Sequence, residues 1–300
     1  MAIPLPVVHT SVFSAASNGG NPCPVVFDDD NILTTAQMQK LAAGFGHETA
    51  FVLRPSQSNA DLRLRYFVPN HEMEMCIHAT VGTITVLVEQ GAITESPVRI
   101  ETPLGLIRAE WKRENNGITV MVEQFPPTFS ENNPTQGELR ALLGVEENIV
   151  DIRNTGPIQA ISTARAKLMV PVGSYRHLDH VQPDFEQLWA LCERYQVTGL
   201  YLFTLNTRLL EFDVDARQFP LRAGYGEDPA TGVAACALAS YLTVHRNGVE
   251  GWNSYRIAQG FAMGRPSVIR AEAFLENGQI TATRVGGNAL ILSNEIIQNI

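Results

Sequence analysis

The sequence predicts an α+β protein of two similar domains, each a curved, mostly antiparallel, barrel-like sheet around one central apolar helix. Three observations lead there. Residues 79–88, ATVGTITVLV, and residues 229–244 contain no charge and have no polar face, so each helix must be covered on all sides. Each half supplies about six strand-like segments to do the covering. The order of elements in the first half recurs in the second at an offset of about 150 residues.

In the first half, TTAQMQKLAAGFG (34–46) reads as a helix with Thr34 as N-cap and Met38, Leu41, Ala42 and Phe45 on one buried face. Strands TAFVL (49–53) and LRLRYFV (62–68) follow, then the apolar helix that ends at Gly91. VRIET, GLIRAEW and GITVMVEQ complete this half as strands.

In the second half, PDFEQLWALCERYQV (183–197) is a helix that buries Phe185, Leu188, Trp189, Cys192 and Tyr195. Strands are expected at GLYLFTL (199–205) and LLEFDVDA (209–216), then the second apolar helix, ending at Gly248. AKLMVPV, VIRAEAFL, QITATRV and NALILS are further strands. The glycine after each apolar helix suits a left-handed C-cap. A break near PPTFSENNPTQ (126–136) divides the chain into domains 1–127 and 128–285, with 286–300 returning to the first half.

Composition narrows the function. The 300 residues are 45% hydrophobic and 18% charged, with a formal net charge of −9 and no basic run, which disfavours nucleic-acid and membrane-surface binding. The N-terminus has no basic, apolar leader pattern, and no stretch approaches the roughly 18 apolar residues of a membrane span. Cys23, Cys76, Cys192 and Cys236 fit no zinc or CxxC spacing, so they read as reduced thiols of a cytoplasmic protein. His177 and His180 lack a third ligand, and AQGFAMGRPS (258–267) lacks the context of a nucleotide fingerprint, so neither a metal site nor a dinucleotide site is expected.

Three segments place polar residues beside buried elements. In GHETAF (46–51), Glu48 either caps a turn or is a half-buried general base. In CIHAT (76–80), Cys76 is a small buried hydrophobe or an activated thiol, and His78 a structural residue or a proton relay. The N–H groups around Ala79 and Thr80 are candidates for binding a carboxylate. In GEDPATG (226–232), Asp228 is either the N-cap, with Pro229 at the first helical position, or part of a second anion-binding helix start. Two such helix starts meeting in a cleft between the halves would hold a small carboxylic acid.

Across these segments, together with GGNPCPVVF (19–27), FVP…CIHAT (67–80) and QGFAMGRPS (259–267), the chain resembles the phenazine-biosynthesis PhzF-like isomerases, of the diaminopimelate-epimerase-like fold, over nearly its whole length. The resemblance implies two α/β halves with the active site in the cleft between them, a homodimer, and neither metal nor organic cofactor. It makes Glu48 the catalytic acid/base, with His78 and Asp228 beside it, and gives the substrate carboxylate to N–H groups near Thr231 and Gly232. Two positions depart from the family pattern. Ile77 stands where Gly is common and narrows the approach. Val233 stands where Ser or Asn is common and removes a hydrogen bond, which weighs against the phenazine precursor itself as substrate.

Cys76 falls where related epimerases and racemases carry a first catalytic thiol. The second position is Thr231 here, and Cys236 lies about 140° further around the helix, so a two-thiol racemase is disfavoured. The leading expectation is a cofactor-independent isomerase acting on a small, cyclic carboxylic acid. An amino-acid epimerase or dehydratase using Cys76 is the second, and a non-catalytic small-molecule binder the third.

Overall fold

The computed structural model describes residues 4–114, 117–144 and 149–297. In chain order the elements begin with β1 (Leu5–Val12), β2 (Asn21–Asp28), α1 (Thr35–Phe45), β3 (Thr49–Leu53), β4 (Leu62–Val68), β5 (His71–Met73) and α2 (Ile77–Glu89). Next come β6 (Val98–Thr102), β7 (Gly105–Glu114), β8 (Gly117–Gln124), β9 (Thr128–Phe129), α3 (Gln136–Leu142), β10 (Gln159–Ser162) and β11 (Lys167–Pro171). The remainder are α4 (Tyr175–His180), α5 (Phe185–Tyr195), β12 (Gly199–Thr204), β13 (Val214–Pro220), α6 (Gly232–His245), β14 (Gly251–Gln259), β15 (Ser267–Glu276) and β16 (Gln279–Ile297). No helix among the described residues is long and apolar enough to cross a membrane.

The chain divides into two compact units, Met1–Glu123 with Gly286–Ile300, and Gln124–Val285. In the first, the strand order β1-β2-β3-β4-β6-β7-β8-β16 closes on itself through pairing of β1 with β16, giving an eight-stranded barrel. Every residue of α2 from Ile77 to Val88 is buried, and the helix packs on β1, β2 and β3. Its threonines satisfy their own hydroxyls: Thr80, Thr83 and Thr85 donate to the carbonyls of Cys76, Ala79 and Val81 at 2.8–2.9 Å, so they are buried without an orphan polar group. Gly82 faces β1 so closely that a Cβ there would sit 2.9 Å from Thr10 Oγ1.

The second unit runs β15-β14-β13-β12-β11-β10-β9. Helix α6 packs on β14 and β15 and also on β10 and β11, so the sheet curves around it. Ser240 and Thr243 repeat the threonine device of α2, donating to Cys236 and Ala239. The two units share a pairing pattern. β2–β3 and β4–β6 are parallel, as are β11–β12 and β13–β14, while β3–β4, β6–β7, β12–β13 and β14–β15 are antiparallel. The repeated order of the sequence is thus a repeated topology.

Several elements differ from the sequence expectation. The strand expected at 209–216 begins only at Val214. Leu209 and Leu210 are exposed, and the strand instead continues through Arg217 and Gln218, which are buried. QITATRV and NALILS are a single long strand, β16. Phe185, Trp189 and Tyr195 of α5 are partly rather than fully buried, and Leu191 is buried with Leu188 and Cys192. After α6 the left-handed residue is Asn247, at φ 56°, not Gly248. A Cβ on Gly248 would strike Thr243, so its role there is close approach.

Candidate active site

The Glu48 cluster is built by three local features. Gly46, left-handed at φ 70°, ends α1 and turns the chain toward β3, whose five residues are all buried. Glu48 sits in that turn, one residue before β3. Cys76 is the extended N-cap of α2, which puts His78 in the first helical turn. His78 Nε2 lies 2.9 Å from Glu48 Oε2, with side-chain exposures of 7% and 16%. The other ring nitrogen, Nδ1, lies 3.3 Å from Cys76 Sγ.

The imidazole thus stands between a thiol and a carboxylate. Burial of the ring opposes its charging, but Cys76 and Glu48 outweigh that and hold His78 well above its ordinary value of 6.5. Burial pushes the Cys76 thiol up, with His78 offsetting part of the rise. Cys23, also buried beside this cluster, is pushed up to about 12 by desolvation. A protonated His78 donates to Glu48 from Nε2. A neutral ring that accepts a hydrogen bond from the Cys76 thiol at Nδ1 still keeps Nε2–H on Glu48.

Glu48, Cys76 and His78 each present one ligand-type atom, all within 4.8 Å of one another. That is a donor set a divalent metal takes. The direct contacts of 2.9 and 3.3 Å are hydrogen-bond lengths, which fit shared protons.

The expected carboxylate donors at the start of α2 are committed inside the protein. The Thr80 N–H donates to the Cys76 carbonyl at 3.1 Å, and the Ala79 N–H bonds the Cys76 sulfur. The Thr80 hydroxyl meets Tyr66 Oη at 2.8 Å. Ile77 is 3% exposed and belongs to the core.

The Asp228 cluster lies in the second unit. Asp228 is not the N-cap of α6; Thr231 is, and the Thr231 hydroxyl donates to Asp228 Oδ2 at 2.5 Å. The Thr231 N–H is taken by Gln259 Oε1 at 3.2 Å. That leaves Gly232, Val233 and Ala234, the next residues of α6, as the positions whose N–H groups have no acceptor within the helix. Gly232 is buried and Val233 partly exposed. Upstream, Glu227 is gripped by Arg217, whose Nη1 also donates to the carbonyls of Leu178 and Val181. Tyr66, Arg217 and Gln259 carry no local signal in the sequence, because each acts through a partner on another element.

Comparison with known proteins shows the family. Residues 10–295 match the family described as phenazine biosynthesis-like protein, PhzC-PhzF. The uncharacterized isomerase YddE of Escherichia coli strain K12 is 31% identical over 291 residues, covering 95% of this chain and 96% of YddE. The trans-2,3-dihydro-3-hydroxyanthranilate isomerase of Pseudomonas chlororaphis is 31% identical over 286 residues, covering 94% and 95%. The crystal structure of a Bacillus anthracis PhzF-family phenazine biosynthesis protein superposes with a TM-score of 0.89 at 27% identity, covering 98% of this chain and 99% of that one. A hydroxyproline epimerase of Agrobacterium vitis, at 12% identity and a TM-score of 0.63, shares the fold. The chain belongs to the phenazine biosynthesis-like PhzF family of isomerases.

Proposed function

We propose that the protein is a cofactor-independent isomerase that moves a proton between carbons of a small, cyclic carboxylic acid, with Glu48 as general acid and base. The observation that carries this reading is the Glu48–His78 pair. A partly buried carboxylate, oriented by an imidazole N–H at 2.9 Å, can take a proton from carbon and return it. His78 steadies the carboxylate in its charged state. Asp228, held by Thr231, is a fixed acceptor for a donor group of the substrate. The N–H groups of Gly232 and Val233 receive the substrate carboxylate and stabilise charge that develops beside it.

The relative from Pseudomonas chlororaphis, by its name, isomerises trans-2,3-dihydro-3-hydroxyanthranilate. That compound heads a screen of cyclic and amino-acid carboxylates in heavy water, scored by deuterium incorporation at carbon. Incorporation by the native protein and none by Glu48→Gln supports the reading; equal incorporation by both refutes it.

We further propose, from the family resemblance and the free cysteines, a homodimer of the cytoplasm. Leu290, Ile291, Leu292 and Ile296 of β16 are 41–65% exposed, an apolar stripe suited to a second copy. The four cysteines are free, as a reducing compartment requires. Sedimentation of native protein and of Leu292→Lys tests the dimer: a shift to monomer in the variant is expected, and a native monomer contradicts it.

A further inference from the structure

Gln259, the last residue of β14, is 1% exposed and uses its whole side-chain amide. Its Oε1 accepts from the Tyr201 hydroxyl at 2.9 Å and from the Thr231 N–H at 3.2 Å. Its Nε2 donates to the Asp228 carbonyl at 2.7 Å and to Thr231 Oγ1 at 3.1 Å. Two of these partners are backbone groups with only one possible role, so the amide cannot flip. The consequence passes on to Thr231. Its oxygen accepts from Gln259, so its proton is directed to Asp228 Oδ2.

The turn is held from other sides too. The Asp228 N–H donates to the Gln218 carbonyl at 3.1 Å. Gly260, left-handed at φ 78°, lets β14 approach the turn, since a Cβ there would lie 2.7 Å from the Pro229 carbonyl oxygen. Beneath them Tyr201 is fully buried, and burial together with the Asp228 charge holds its phenol well above its ordinary value. It therefore remains a donor to Gln259.

We propose that Gln259, backed by Tyr201, is a positioning residue that sets the direction of the Asp228 carboxylate and of the α6 start. Its catalytic consequence rests on the reading that Asp228 meets the substrate. Gln259→Glu tests it with little change of shape. The ionised side chain loses both donor bonds, and protonation returns one of them. With those ties gone the turn loosens, so exchange at the Asp228 amide, measured against native protein at each pH, should be faster in the variant at neutral pH and return toward the native rate at lower pH, a result that needs no substrate.

With a substrate from the heavy-water screen, kcat of Gln259→Glu should fall at least tenfold at neutral pH, recover as pH falls, and change KM less than kcat, over a range where circular dichroism shows a native fold. In an Asp228→Asn background the same substitution should cost less than twofold. Tyr201→Phe should lower kcat in the same direction by a smaller factor. Unchanged amide exchange, or an equal loss in both backgrounds, overturns the proposal. Full activity of Asp228→Asn overturns the reading beneath it, and with it the catalytic consequence, while the amide-exchange arm still decides the positioning.

Discussion

Arg217 holds Glu227 in two parallel hydrogen bonds of 2.9 and 2.7 Å, with both side chains nearly buried. Removing one member strands the other. Glu227→Ala leaves the Arg217 guanidinium uncompensated, a loss of about 3–5 kcal/mol by the usual cost of breaking a buried pair. Denaturant unfolding measures it. Because Glu227 precedes Asp228, isomerase activity should fall as well, even well below the melting temperature.

The His78 imidazole titrates above its ordinary value, which fixes the sign of a pH effect. Its contribution to stability is fully present below the unfolded-state value of 6.5 and is lost as pH rises through the folded-state value. The stability difference between native protein and His78→Gln should therefore be largest in mildly acidic solution and shrink at alkaline pH. Thermal melts across pH check it, and a difference that grows with pH contradicts the assignment.

Cys76 separates the two chemical readings. If it only supports His78, the catalytic cost of Cys76→Ala is the loss of its hydrogen bond to that ring, worth about 0.5–1.5 kcal/mol, about a two- to tenfold loss of kcat. If Cys76 were itself the base, activity would vanish. Burial pushes this thiol up and Cys236 up to about 11, so native protein should resist iodoacetamide at neutral pH and react readily once unfolded. Mass spectrometry of the labelled peptides reads the difference.

Much of the fold is legible in the sequence because it rests on local pattern. Thr34 caps α1 in a reciprocal capping box with Gln37, as its position before an apolar period implies. The two charge-free helices announce that they are enclosed. The failures arise where buried polar residues mimic surface ones. Val214–Pro220 includes Arg217, whose partners lie on other elements, and Gln218, buried within the sheet, whereas the apolar LLEF segment upstream is turn. Helix α3 is only seven residues long and follows a Pro- and Asn-rich stretch, so its one sequence signal is the capping box of Thr135 and Glu138.

The candidate site was legible in its residue types and not in its bonding. Glu48, Cys76 and His78 stand out in the sequence by their adjacency to buried elements, and they meet within hydrogen-bond reach. The donors assigned to Ala79, Thr80 and Thr231 are spent inside the protein. Gln259 lies 28 residues from Thr231 in the chain, and no spacing rule connects them.

The most direct test of the account is deuterium exchange into substrate by Glu48→Gln. General acid–base catalysis contributes about 10²–10⁴-fold. A loss of at least about a hundredfold in exchange is expected, with the fold intact by circular dichroism and ligand binding retained. Exchange at the native rate in that variant would contradict it.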